Sequence, residues 1–475
     1  MAPRKITINP ISRVEGHGKV VLHLDEQGRV AEARFHVTQF RGFEAFCRGR
    51  PYEEMPIITQ RICGICPVSH QLASAKACDA IMGGDVPPTA GLLRELLHMG
   101  QYIQSHALHF FYLASPDLLL GWDADPAVRN VVGVVQRFPE AAVKGIRLRK
   151  FGQEIIKALG GKKVHPAYSV PGGVTDPLWE KDRDRLLTGF REAHGTARLA
   201  LDLLGSWLEK NRDEVSVFAN FPSNYAGLMD GAGRLELYEG RIRMSGPDRG
   251  VLAEFDPADY LEYLGEHVET WSYLKFPFFK PQGWPGGVYR VGPLARLNAA
   301  VGVSTPLAAK EYQAFRQVAD GGLLGGSLLY HYARLVELLY ALERAAELFN
   351  HPLICGTDIK ATAPPARPEG VGVVEAPRGT LIHHYFVDEK GAMEKANLIV
   401  ATGHNNMAMN RAVLAVAQEY IKDGDPREGL LNRVEGAIRC YDPCLSCSTH
   451  ALGQMPLVVR VLGPEGELLH ELVRE

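Results

Sequence analysis

The chain has 475 residues, 46% of them hydrophobic and 23% charged, a globular composition with room for a large core. A net charge of −3 excludes bulk electrostatic attraction to nucleic acid or to an anionic membrane. No apolar run approaches the roughly 18 residues that span a bilayer, Asp117 interrupts the longest apolar region "HFFYLASPDLLLGW", and "MAPRKITINP" lacks a signal-peptide core, so a cytoplasmic chain with no transmembrane segment is expected, exported only on a signal-bearing partner.

In chain order, "KITINP", "KVVLHL" and "VAEARFHV" are rich in β-branched residues and read as strands, with "DEQG" as a turn. From about Pro56 the pattern turns helical. "VSHQLASAKACDAIMGG" spaces its apolar residues by threes and fours and ends on glycines. A long helical run starts at Pro87–Pro88, another spans 183–211 and a third 306–350. Their apolar faces predict a central bundle. Between them, "RLELYEGRIRMSG" and "GVYRVGPLARL" read as strand or loop, and "GTLIHHYFVDEKGAMEKANLIVA" as a hairpin turning at "DEKG". A helical stretch around 405–437 leads to the second cysteine pair, and "LVVRVLGPEGELLHELV" reads as a last hairpin.

Of eight cysteines, four form two C-x-x-C pairs, Cys63 with Cys66 in "RICGICPVSH" and Cys444 with Cys447 in "DPCLSCSTH". In a large chain expected to be cytosolic this favours metal or redox chemistry over structural disulfides. Pro67 is a good first helical residue, so Cys63 and Cys66 are expected at a helix N-terminus that favours the thiolate. His70 and His450 follow each pair by four and three residues. One pair alone is weak. Two pairs leave structural zinc, a thiolate-bound transition metal, and unrelated pairs all open, although zinc ribbons keep their pairs far closer in sequence than these.

Together with "RVEGHG" near the start and "APRG" at 376–379, the two cysteine phrases resemble the large subunit of a [NiFe]-hydrogenase over essentially the whole chain. "FRGFE" and "DPCLSCSTHALGQMPL" are most similar to the cytosolic, bidirectional NAD-linked subgroup. Related subunits of respiratory complex I share this fold but lack the four cysteines. The resemblance implies an α+β, predominantly α fold: a central bundle of long helices with peripheral β-hairpins and small sheets. It implies a catalytic domain over 1–450 (an N-terminal β segment 1–45, a helical core 56–350 and a C-terminal part 370–450 carrying the second cysteine pair), followed by an extension over 451–475.

By the same resemblance Cys63, Cys66, Cys444 and Cys447 bind a Ni–Fe(CN)2(CO) centre, with Cys66 and Cys447 bridging. H2 is split heterolytically, with Cys444 as the base and Glu15 as the proton relay. Arg378 lies over the open face, paired with Asp442 and Asp117; a helix cap is the alternative for Asp117. His70 bonds a bridging thiolate. Pro377, Ala401 and Thr402 line the pocket of the diatomic ligands. Glu44, the Leu398 carbonyl and His450 hold Mg2+. His404 is a polar contact or a loop histidine. His106 and His109 are expected in packing or an interface, and Cys47, Cys78, Cys355 and Cys440 to be incidental.

The chain has no further cysteine set for an iron–sulfur cluster and no G-x-G-x-x-G after a strand. The resemblance therefore implies partners: a small iron–sulfur subunit, and diaphorase subunits with iron–sulfur clusters, FMN and NAD. The residues after His450 resemble the peptide cut between His450 and Ala451 by a maturation endopeptidase, after a chaperone-assisted metal insertion. The chain is then the precursor, its centre empty or incomplete and residues 443–450 displaced from the pocket. The competing readings are a deazaflavin-, ferredoxin- or sulfur-linked cytosolic hydrogenase, and a non-catalytic complex I-like subunit with structural zinc.

Overall fold

Gly18–Leu24 alternates buried and half-buried positions, the period of a strand with one face inward. It is the middle strand of an antiparallel sheet between Lys5–Ile8 and Val30–Val37. Asp25 closes the turn, accepting from the N–H groups of Gln27 and Arg29 at 2.9 and 2.8 Å. The computed structural model describes residues 5–422, 427–449, 457–463 and 467–474.

Pro67 opens the helix Pro67–Met82, and Gly83, at φ 67°, ends it. The helix Pro88–Leu108 follows, but the coil then widens into π-helical turns at His109–Ala114 and Pro116–Leu120. Pro116 has no N–H to donate, and the wider turn accommodates it. The three later helical runs are each divided. The first is Glu180–Leu187 and Phe190–Lys210. The second is Pro306–Val318 and Leu329–Phe349, parted where Gly321 and Gly322 leave helical geometry. The third is Asn406–Tyr420 and Glu428–Arg439. Sequence reading passed over the helix Pro139–Gly160, whose buried Gly145, Leu148, Gly152 and Ile156 recur by threes and fours against Pro88–Leu108.

The 56–350 segment also carries β structure. A four-stranded sheet runs Tyr289–Arg290, Asn224–Met229, Arg241–Ser245, Val251–Phe255, and a hairpin pairs Leu264–His267 with Phe276–Phe279. "GVYRVGPLARL" gives one short strand and then the helix Pro293–Ala299. The architecture is therefore predominantly helical with small sheets around the bundle.

The expected hairpin forms, Gly379–Val387 with Met393–Ile399, and gains a third strand, Glu369–Ala376. The helix Pro67–Met82 lies directly on this sheet. A Cβ at Gly372 would meet the Ala73 carbonyl oxygen at 2.0 Å, and one at Gly370 the Ala77 carbonyl oxygen at 2.2 Å. Ala376 pairs with Gly379, so Pro377 and Arg378 form the two-residue tip of a hairpin aimed into the core. The last hairpin also forms, Leu457–Leu462 with Leu468–Arg474, as a sheet of its own.

The interior is not uniformly apolar. Arg296 bonds Glu337 at 2.6 and 2.7 Å and Glu375 at 2.7 Å, with His106 Nε2 3.0 Å from Glu337, all out of contact with water. Burial holds His98 and His106 down to about 4, against 6.5 when exposed. Between these values the unfolded chain binds protons that the folded one refuses. This stability is complete above pH 6.5 and is lost as pH falls through 4. The denaturation midpoint of the full chain is therefore expected to fall on going from about pH 7 to about pH 5, above the usual carboxylate range; a flat midpoint there would contradict it.

Candidate metal centre

Cys63 follows a 3-10 turn in extended backbone, and Cys66 caps the helix Pro67–Met82. The N–H groups of Ile65 and Cys66 both donate to Cys63 Sγ at 3.2 Å. The second pair arrives from the helix Glu428–Arg439. Asp442, at φ 54°, turns the chain in a left-handed conformation that aspartate tolerates better than most residues. Cys444 N–H then donates to Thr402 Oγ1 at 2.9 Å, and Cys444 bridges Glu15 in parallel, Leu445 N–H donating to the Glu15 carbonyl at 3.0 Å. Gly16 permits this approach. A Cβ there would meet Leu445 Cβ and Ser446 N, each at 2.8 Å.

The four sulfurs lie within 4.8 Å of one another, all buried. Cys63 Sγ is 3.3 Å from Cys444 Sγ, and Cys66 Sγ 3.7 Å from Cys447 Sγ. Hydrogen bonds from the Cys444, Cys447 and Cys63 thiols, with a contribution from His70, hold Cys66 well below the usual thiol range. Burial pushes Cys444 and Cys447 well above it.

Arg378 reaches this cluster from the hairpin tip. Its Nε donates to the Asp442 carbonyl at 2.6 Å and its Nη2 to Asp442 Oδ1 at 3.1 Å. Burial opposes its charge, but Asp442, with the adjacent cysteine sulfurs, overcomes that cost and keeps it protonated. Burial raises the Asp442 carboxyl above its ordinary value, offset in part by Arg378 and Arg334; two facing guanidiniums and direct bonding favour the ion pair. Arg378 Nη1 and Asp442 Oδ2 are buried without a partner. On the other side, Glu15 Oε2 accepts from Cys444 Sγ at 3.0 Å and from Ser446 N–H at 3.2 Å, and Glu15 is half-buried. Soft thiols around one point, with polar groups left unpaired beside them, fit a thiolate-bound transition metal.

Residues 41–127 and 248–450 match the family described as nickel-dependent hydrogenase. The chain belongs to the nickel-dependent hydrogenases. Residues 5–40 match a family described as HoxL-like. The chain is 45% identical to the NAD-reducing hydrogenase HoxS subunit beta of Cupriavidus necator, over 99% of this chain and 100% of the relative. It is 47% identical to an F420-non-reducing hydrogenase of Methanococcus voltae, over 88% of this chain and 99% of that relative. A crystal structure of an NAD+-reducing [NiFe]-hydrogenase in the H2-reduced state superposes with a TM-score of 0.92 and 46% identity, covering 95% of this chain and 100% of that one. The buried four-cysteine cluster is consistent with the nickel–iron site of such a hydrogenase. No helix among the described residues is long and apolar enough to cross a membrane.

Within this hydrogenase, Asp117 is not with Arg378. The π-helical turns aim it elsewhere, at Arg13 (2.5 and 2.9 Å), Arg439 (3.0 Å) and Asn432. Burial would raise its carboxyl, but Arg439 and Arg13 outweigh that and hold it below the ordinary value, so it is an interior ion-pair member and not a helix cap. Residues 443–449 are seated in the pocket, not displaced as the precursor reading anticipated. His450 and Ala451 lie outside the described residues. Glu44 is buried and its Oε1 accepts from Leu398 N–H at 2.9 Å, which brings these two together.

Pro377, Ala401 and Thr402 are all buried. His404 is a local polar contact, its Nδ1 2.5 Å from the Tyr289 hydroxyl, and burial holds it down to about 3. His109 Nε2 bonds the Arg439 carbonyl at 2.8 Å, so both it and His106 serve packing. Cys47, Cys78 and Cys440 are buried and Cys355 partly so.

Sequence reading missed Arg13 and Arg439. Arg13 stands two residues before Glu15 at φ 56°, a sign visible only in the backbone. Asp117→Asn would leave two guanidiniums short of an anion. Denaturant unfolding should show a loss of about 3 kcal/mol, the low end for breaking a buried pair because Arg13 keeps some water access. An unchanged midpoint would show the pair to be worth nothing.

Proposed function

We propose that this chain is the catalytic subunit of a [NiFe]-hydrogenase that interconverts H2 with two protons and two electrons and exchanges the electrons with NAD(P)+ through a small iron–sulfur subunit and diaphorase subunits. The observation that carries this reading is the buried cluster of Cys63, Cys66, Cys444 and Cys447 with Glu15 on one thiol and the Arg378 guanidinium beside it. Similarity to a relative named for NAD reduction supports the acceptor.

Held by those four cysteines, a nickel–iron centre whose iron carries CO and cyanide supplies the heterolytic cleavage of H2 when bound. The chain's own residues do the rest. Cys444 takes the proton on a sulfur that lies 3.0 Å from a carboxylate. Glu15 passes it outward, since Glu15 is only half-buried while Cys444 is enclosed. Arg378 keeps a fixed positive charge at the reacting face, anchored by Asp442 so that it does not collapse onto the thiolates. Ala401, Thr402 and Pro377 shape the surroundings of the iron ligands. Mg2+ at Glu44, Leu398 and His450 belongs to the same reading, as do a cytoplasmic location and a maturation chaperone.

Metal analysis of the purified native complex is expected to find nickel and iron in this subunit, with infrared bands of bound CO and CN−; zinc alone would sink the proposal. Glu15→Gln should keep those bands and both metals while lowering H2 turnover 100-fold or more, as loss of a proton relay does (about 10²–10⁴).

We further propose that residues 451–475 are removed by an endopeptidase after metal insertion. In support, the terminal strands pair with each other in a separate sheet, and Val461, Leu468, Leu469 and Leu472 are exposed. Intact mass spectrometry of the active complex should give a subunit ending at His450; an active subunit that retains the tail would refute removal.

A further inference from the structure

Gln101 and Gln104 have no part in the roles assigned so far, yet both are buried polar side chains that reach the first cysteine pair. They lie three apart on the helix Pro88–Leu108 and so share one face. Both Nε2 groups donate to one atom, the Ile65 carbonyl oxygen, at 2.8 and 2.9 Å. A carbonyl oxygen can only accept, which fixes each amide with its nitrogen forward. Gln101 thereby leaves its own Oε1 buried without a partner, a cost that an apolar side chain there would avoid. The helix Pro139–Gly160 packs on the same turn. A Cβ at Gly152 would meet Gln104 N at 2.6 Å and Gln104 Cβ at 3.0 Å, so the glutamine has no room to withdraw. The Ile65 carbonyl belongs to the peptide unit whose N–H is that of Cys66, and this N–H donates to Cys63 Sγ at 3.2 Å. The unit is trans, so its C=O and N–H point to opposite sides. One peptide plane is thus held between two glutamine donors on one side and the Cys63 sulfur on the other.

We propose that Gln101 and Gln104 are positioning residues that orient and polarise the Ile65–Cys66 peptide toward the Cys63 sulfur. Orientation comes first. A Cβ at Gly64 would meet nothing within 4 Å, so packing there does not fix the loop between the two cysteines. A peptide free to turn over would set its carbonyl oxygen against the sulfur. Two donors on that oxygen hold it away and keep the N–H on the sulfur side. Polarisation follows. Donors on a C=O draw electron density through the peptide and make its N–H the stronger donor. An N–H···S bond in turn withdraws charge from a thiolate, so a metal bound through Cys63 is less electron-rich and its reduced state is favoured. The Ile65 N–H, which donates to the same sulfur at 3.2 Å, belongs to the preceding peptide and would remain without the glutamines. Their removal therefore weakens the hydrogen bonding of this sulfur and does not abolish it. This inference rests on the hydrogenase reading above, in which Cys63 is a ligand of the metal centre.

The test is Gln101→Met and Gln104→Met, singly and together, in the full native complex. Methionine keeps the length and helix propensity of glutamine and lacks its N–H donors. The readouts are nickel and iron content and the midpoint potential of the centre, from a redox titration followed by the infrared CO and CN− bands. The expected result is both metals retained, a midpoint shifted to more negative potential in each single variant, and a larger shift in the double. A merely structural role would lower stability or metal content and leave the potential of the loaded centre in place. Wild-type potentials in the metal-loaded variants would therefore overturn the proposal, and so would single variants that fold without loading metal. If the double variant does not accumulate as a folded subunit, the single variants decide alone. A wild-type complex without CO and CN− bands would instead sink the hydrogenase reading, so the two failures are distinct.

Discussion

Cys63 and Cys444 stand 381 positions apart in the chain, and their sulfurs are 3.3 Å apart where water does not reach. Four thiols brought that close repel as thiolates and, as thiols, form only weak hydrogen bonds. Their arrangement is therefore imposed by the surrounding fold. On one side it is imposed by a helix start, where Pro67 and the N–H groups of Ile65 and Cys66 set the first pair. On the other it is imposed by a short segment clamped between Thr402 and the Glu15 backbone, which sets the second. The helix Pro67–Met82 and the hairpin tip at Pro377–Arg378 meet at the same point because glycines at 370 and 372 let the sheet lie on the helix backbone.

The charged interior serves the same closure. Ser12 bonds Glu435 through both its N–H and its hydroxyl, at 2.9 and 2.8 Å, and Arg13 bonds Asp117. Arg439 joins Asp117 and Glu435. This network ties the N-terminal arm to the last long helix, so Glu15 and Cys444, contributed by opposite ends of the chain, stay in hydrogen-bond contact. Arg296, Glu337 and Glu375 play a similar part deeper in the bundle, linking the Pro293–Ala299 and Leu329–Phe349 helices to the strand that precedes Arg378. Buried ions of this kind contribute little net energy against apolar replacements, but they penalise misregister heavily. Register is what a site assembled from distant segments requires.

Much of this was legible in advance, and the misses have identifiable causes. The cysteine spacing, Pro67, the Gly83 stop and the "DEKG" hairpin are local signals, and each corresponds to an element in place. Helix continuity was less legible, because Gly189 and the Gly321–Gly322 pair look tolerable within long apolar runs. The family resemblance pairs Asp117 with Arg378, or leaves it a helix cap. Pro116 and the π-helical widening rotate it to Arg13 and Arg439 instead. Arg13 and Arg439 gave no signal, since a buried arginine looks like a surface one until its partner is known.

By itself the sequence determined the donor chemistry: four cysteines in two spaced pairs, a glutamate beside a glycine, an arginine after a proline. Those identities limit which metal and which proton transfer are possible, because thiolate softness and carboxylate acidity are properties of side chains. Only the tertiary structure decided which carboxylate meets which guanidinium, and that Glu15 alone of the site's acids reaches water. Those outcomes depend on packing between segments hundreds of residues apart. There, one widened turn or one missing Cβ changes a contact by more than the length of a hydrogen bond.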